Sequence, residues 1–109
     1  MIKFHRVDST HLIWHCPGCE GGHMVPIAGD HPVWSWNGSL ESPTLTPSIL
    51  VRGVHPLTDA EAARVFDGEK IEPRPLCCHS IITNGKIQFL DDCTHRLKGQ
   101  TVEVPDWDE

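Results

Sequence analysis

Five cysteines and eight histidines stand in a chain of 109 residues, and their spacing is where chemistry can be read first. Cys16-Pro17-Gly18-Cys19 sets two thiols either side of a turn that Gly18 lets close, so both sulfurs can face one ion as in a zinc knuckle. That is half of a tetrahedral site. A hairpin nominates the other half. Asn84-Gly85 between two β-branched runs is a strong two-residue turn signal, and it pairs Thr83 with Lys86. The same register sets Cys78 opposite Asp91 and puts Cys78, Ser80, Ile82, Ile87, Phe89, Asp91 and Cys93 on one face. The expected ligands are therefore Cys16, Cys19, Cys78 and Cys93, with Cys77, His23 and His95 as substitutes if the register slips. Zn2+ is the expected ion, favoured over an iron–sulfur centre by its commonness and by the compact Pro-Gly turn. Such a closed site is structural, and its binding energy is folding energy. The bland alternative for any one of these residues is a buried thiol.

With the thiols so assigned, the imidazoles are left for other work. His79 points away from Cys78, to the opposite face of the hairpin, and His95 follows Cys93 closely. A strand histidine is commonly a packed or surface residue, but a nucleophile is within reach of the argument. Ser48 follows Pro47 at the start of a strand, where a stiff Pro-Ser junction steadies the hydroxyl. A serine needs an adjacent base to attack at neutral pH. His79 is the candidate base, and His95 or Asp92 the group that orients it; Glu41 is a further candidate acid. The catalytic set expected is Ser48, His79 and His95. A rival arrangement takes one cysteine with Glu41, His79 and His95 as an open metal site holding a water, which would make a metallohydrolase.

The elements that must hold these groups are short strands. Ile2 to Val7, His11 to His15, Met24 to Ala28, Pro32 to Trp36 and Ser48 to Val51 read as strands, the prolines pushing some of them to edges. Two prolines four apart, Pro43 and Pro47, forbid a helix before Ser48. The one good helix signal is Thr58-Asp59-Ala60-Glu61, a capping box, with Gly68 as its stop. Residues 55–76 read as a helix-and-loop insertion between two strands. The hairpin follows, and Gly99 to Pro105 carries a last strand. The expected fold is mainly β (small α+β): one compact, zinc-stabilised antiparallel β domain over 1–109 with one short inserted helix.

Composition narrows the partners. Lys plus Arg number 9 against 15 Asp plus Glu, giving a formal charge of −6, which opposes nucleic acid and anionic membranes. No apolar run approaches the roughly 20 residues of a membrane span, and the N-terminus lacks a signal-peptide stretch. With an odd cysteine count, this reads as a soluble, intracellular protein, its partner a protein or peptide. Trp34, Trp36 and Trp107 are candidate contacts, Trp107 either docked or an exposed hook, and the acidic tail through Asp108 and Glu109 reads as solvated.

Several motifs are more specific together than singly: Cys16-Pro17-Gly18-Cys19, Trp36-Asn37-Gly38, Ser42-Pro43-Thr44, Pro47-Ser48, Cys78-His79-Ser80, Asn84-Gly85, Asp92-Cys93-Thr94-His95, Gly99-Gln100-Thr101-Val102 and Pro105-Asp106-Trp107. In these the chain resembles a family of small phage and prophage proteins over nearly its whole length except 55–76. More distantly it is similar to a peptidase-like domain encoded beside bacterial ubiquitin-like conjugation genes. The resemblance implies Cys16 and Cys19 as ligands, Ser48 and His79 as a functional pair, a peptidase-like role, and a cytoplasmic place in a bacterial host cell. Two functions follow as expectations: a Ser/His hydrolase acting on peptide or protein, or a non-catalytic zinc module that binds a protein. RNA binding by a zinc knuckle ranks third.

Overall fold

The computed structural model describes residues 2–107, and its strands are dictated by two tight turns. In the first, Pro17 to Glu20 reverses the chain, with Glu20 N–H bonded to Cys16 O at 2.8 Å and Glu20 in the left-handed region (φ 57°). It joins β2 (His11–Cys16) to β3 (Gly21–Pro26), and β1 (His5–Arg6) flanks β2, giving a three-stranded antiparallel sheet in the order β1-β2-β3. In the second, Asn84 (φ 50°) and Gly85 (φ 80°) both take positive φ, as a two-residue hairpin of matching twist demands. It joins β6 (Pro75–Thr83) to β7 (Lys86–Phe89) with Thr83 opposite Lys86, the expected register.

β6 and β7 sit within a five-stranded antiparallel sheet completed by β4 (Ser35–Trp36), β5 (Leu45–Val54) and β8 (Thr101–Glu103), in the order β4-β5-β6-β7-β8. The fold is thus mainly antiparallel β in two sheets with one short helix. Several boundaries differ from expectation: β1, β4 and β8 are shorter than the expected Ile2 to Val7, Pro32 to Trp36 and Gly99 to Pro105, and three strand starts move. β3 begins at Gly21 rather than Met24, because the knuckle turn ends at Glu20 and its glycines go on to pair with β2. β5 begins at Leu45, since Pro47 lies within an interruption of the β5–β6 pairing and needs no ladder partner. β6 begins at Pro75 rather than His79, drawn out by its pairing with the far end of β5.

Between β5 and β6, the bond from His55 N–H to Arg74 O (2.8 Å) closes an arm that carries α1 (Asp59–Phe66). The capping box at Thr58 and Glu61 is formed in full, yet α1 buries none of its residues. A single apolar cluster draws on both sheets. Phe4 stacks on Trp14 at 4.9 Å, and Leu12, Val25, Leu45, Ile49, Ile82, Ile87, Phe89 and Val104 close around them. The C-terminal stretch is tied down: Trp107 stacks on His15 at 4.4 Å and His5 at 5.3 Å, and Trp107 N–H bonds Ile2 O at 2.8 Å. Trp107 is therefore docked rather than an exposed hook; Asp108 and Glu109 lie outside the described residues. No helix of the described chain is long and apolar enough to cross a membrane.

Candidate active site and metal centre

Alternation along β6 sends consecutive residues to opposite faces, and the two candidate centres follow from that one fact. Cys78, Ser80 and Ile82 point inward and are buried, while Cys77, His79 and Ile81 point outward and are half-buried. β5 pairs with β6 through Leu50 opposite His79, but the register shifts between Leu45 and Ile49. Ser48 lies in that bulge, two residues before Leu50 and hence on the same face as His79. Bulges of this kind re-aim a side chain. Here the Ser48 hydroxyl comes to 3.0 Å from His79 Nε2. The Trp34 indole N–H reaches the Ser48 carbonyl at 3.3 Å and steadies the bulge from outside.

The other imidazole nitrogen fixes the tautomer. His79 Nδ1–H donates to Asp92 Oδ2 at 3.0 Å, leaving the Nε2 lone pair to accept from Ser48 Oγ–H. The His79 side chain is 25% exposed and Asp92 52% exposed, so the line opens to solvent at its acidic end. Cys93 braces it: His79 N–H donates to Cys93 Sγ at 3.3 Å, and the Cys93 thiol donates to His79 O at 3.2 Å. Asp92 is thereby held beside the imidazole through the next residue of its own loop. The chain can do what a hydroxyl, a correctly turned imidazole and an orienting carboxylate do together, which is to raise the nucleophilicity of Ser48.

On the inward face the sulfurs gather. Cys16, Cys19, His23 and Cys78 each offer one ligand atom, all within 4.8 Å of one another, and a second such group is Cys78, Cys93 and His95. Cys16 ends β2, Cys19 stands in the turn, and His23 lies on β3 opposite Trp14. The fit to a metal ion is good on three counts. Cys16 Sγ and Cys78 Sγ are 3.9 Å apart, close to the roughly 3.8 Å edge of a tetrahedron with metal–sulfur bonds of about 2.3 Å. His23 Nε2 is buried with no hydrogen-bond partner, which is costly unless an ion completes it. The three thiols also share too little positive charge to ionise together. The hydrogen bond from Cys78 holds Cys16 down to about 4, the same contact and burial push Cys78 up, and burial pushes Cys19 up to about 11. A divalent cation supplies the missing charge.

The expected four thiols do not form one group; Cys93 falls in the second, while His23 joins Cys16, Cys19 and Cys78. His95, expected beside Ser48 and His79, lies instead against the knuckle, its Nε2 3.5 Å from Cys78 Sγ. Its Nδ1 accepts from Leu97 N–H at 3.2 Å, so the ring proton is on Nε2 and points at sulfur. Burial holds His95 below the usual imidazole range. A ring so turned is a donor to a thiolate rather than a ligand. Its plane covers Gly18 so closely that a Cβ there would stand 2.3 Å from the ring, which is why the knuckle needs glycine. Cys77 enters neither group, its N–H bonded to Thr94 Oγ1 at 3.1 Å. Glu41 is exposed near the Asn84-Gly85 turn, at the tip of the hairpin, and is not brought to the histidines. Sequence reasoning missed the Cys93 clasp, for which the sequence carries no signal.

A small two-sheet β protein with a hydrogen-bonded serine, histidine and aspartate on one face and a Cys/His cluster on the other is the class these features define. The chain belongs to the BubE family, described as the bacterial ubiquitination-like system serine protease, whose model matches residues 2–90. That stretch contains Ser48, His79 and all four residues of the larger Cys/His group, and stops short of Asp92. No curated protein and no solved structure matches the chain.

Proposed function

We propose that the protein is a serine peptidase of a bacterial ubiquitin-like system, hydrolysing a peptide bond in a protein or peptide, with a structural zinc ion. The line from Ser48 Oγ through His79 to Asp92, with both hydrogen bonds at 3.0 Å, carries this reading. Ser48 Oγ attacks the scissile carbonyl carbon as its proton passes to His79 Nε2, and Asp92 stabilises the imidazolium that results. When the carbon–nitrogen bond breaks, His79 returns that proton to the leaving amine, and an acyl ester remains on Ser48. Water, deprotonated by His79, then attacks the ester; the acyl carbon–Oγ bond breaks, His79 returns the proton to Ser48 Oγ, and the product leaves as a carboxylic acid. Cys16, Cys19, His23 and Cys78 are the ligands we assign to Zn2+, which bound there would hold the inward face of β6 still.

A fluorophosphonate probe tests the reading. Labelling at Ser48, abolished in Ser48→Ala and in His79→Ala, is the expected result. Folded, metal-loaded protein that takes no label would return the case to a binding module without catalysis. The arm favours that second reading to one extent only, in that Phe66 is 92% exposed. The tryptophans expected as contacts are engaged within the chain, Trp34 on Ser48 O, Trp36 on Ser39 O, and Trp107 in its histidine stack.

A further inference from the structure

β5 is ten residues long, but β4 covers only its first two, through Ser35 opposite Thr46 and Trp36 opposite Leu45. Beyond Ser48, whose carbonyl the Trp34 indole takes, the outer edge of β5 has no strand beside it among the described residues. Which backbone groups face that edge follows from antiparallel alternation. His55 N–H bonds Arg74 O, so the bonded pairs across to β6 are those of Gly53, Val51 and Ile49. Independently, the His79 carbonyl is taken by Leu90 N–H on the β7 side, so His79 and its partner Leu50 do not bond each other. Both lines leave the N–H and C=O of Leu50 and Arg52 pointing outward. They begin two residues from Ser48, on the side of the hydroxyl away from His79.

Resting on the peptidase reading, we infer that the substrate is an extended, unfolded segment that adds to β5 as a strand, bonding the outward groups of Leu50 and Arg52 and so laying its scissile bond over Ser48. Edge addition gives affinity through the main chain and selectivity through alternate side chains. Ser48, Leu50, Arg52 and Val54 share one face, where Leu50 is 44% and Val54 58% exposed. Arg52 is exposed and has no ion pair among the described residues. A residue added opposite Arg52 puts its side chain on that same face. The favoured substrate therefore carries an acidic side chain there, with apolar neighbours two residues to either side. A flexible terminus or linker offers such a segment.

The test uses metal-loaded Ser48→Ala protein and pools of capped hexapeptides, randomised except for a central Asp, Ala or Lys. Amide hydrogen exchange is followed residue by residue. At saturation the Asp pool should slow exchange at Leu50 and Arg52 at least tenfold, and should bind on the order of fivefold more tightly than the Lys pool. Arg52→Glu should reverse that order. Arg52→Pro removes one outward N–H and leaves the β6 ladder intact, and should weaken binding about fivefold. Absence of binding by every pool, or protection confined to the outer face at Ile81 and Gln88, overturns the inference. If protection appears at Leu50 and Arg52 but Ser48 in the parent chain takes no fluorophosphonate, edge docking stands and the catalytic reading falls.

Discussion

Asp92 and His95 compete on paper for one role, since both closely follow Phe89 at the end of the hairpin and either can orient an imidazole. Hydrogen-bond direction separates them. Asp92 accepts from His79 Nδ1, whereas His95 turns a proton to Cys78 sulfur. Asp92→Asn should therefore lower turnover by three to four orders of magnitude, because an amide cannot hold the productive tautomer. His95→Phe should leave the rate of Ser48 labelling within a few-fold while loosening metal retention against a chelator. The opposite ranking in a labelling time course would reassign the orienting group. Cys93 offers a second separation. If its thiol clasps the His79 peptide group, Cys93→Ala should keep one equivalent of bound metal and lose about tenfold or more in labelling rate. Loss of the metal in that variant, measured by elemental analysis, would restore Cys93 to the ligand set.

β6 is the element on which both centres depend, and it was the most legible one. Asn84-Gly85 fixed its register with β7, and alternation alone then put Cys78 and His79 on opposite faces. The meeting of Ser48 with His79 was not legible. It depends on a pairing across the β5–β6 arm and on a register shift just before Ile49, and neither leaves a periodic mark in the sequence. The choice of His23 over Cys93 was hidden for a similar reason. Gly21 and Gly22 look like loop, yet they continue a strand that carries His23 up beside Cys16. The arm is the converse case, where local signals suffice because little else acts on it. Since α1 buries none of its residues, its stability is local. Thr58→Ala removes a cap worth about 1 kcal/mol, and amides of 61–66 should exchange about fivefold faster. The melting temperature should stay within a degree or two, and a larger fall would mean that α1 supports the core.

Cys16, Cys19 and His23 come from the three-stranded sheet and its turn, Cys78 from the five-stranded one, so an ion held by all four ties the sheets together at one point. The same strand carries His79 on its other face, one residue from that point. Two consequences belong together. A structural zinc ion contributes about 10 kcal/mol or more, a sum comparable with the whole net stability of a small domain. Its removal by a strong chelator should therefore unfold the core or lower the melting temperature by at least about 15 °C, monitored through Trp14, which is buried among both sheets. Because protons compete with the metal for the sulfurs, release should grow steeper as pH falls, with bound metal lost before the sheets melt in acid. Fluorophosphonate labelling of Ser48 should disappear in step with metal, although no ligand touches the hydroxyl, because the imidazole it depends on belongs to His79, the neighbour of Cys78 on β6. A metal-free protein with unchanged melting temperature and labelling rate would break that link, and would leave the cluster as three crowded thiols around an unpartnered histidine with no physical reason to have been assembled.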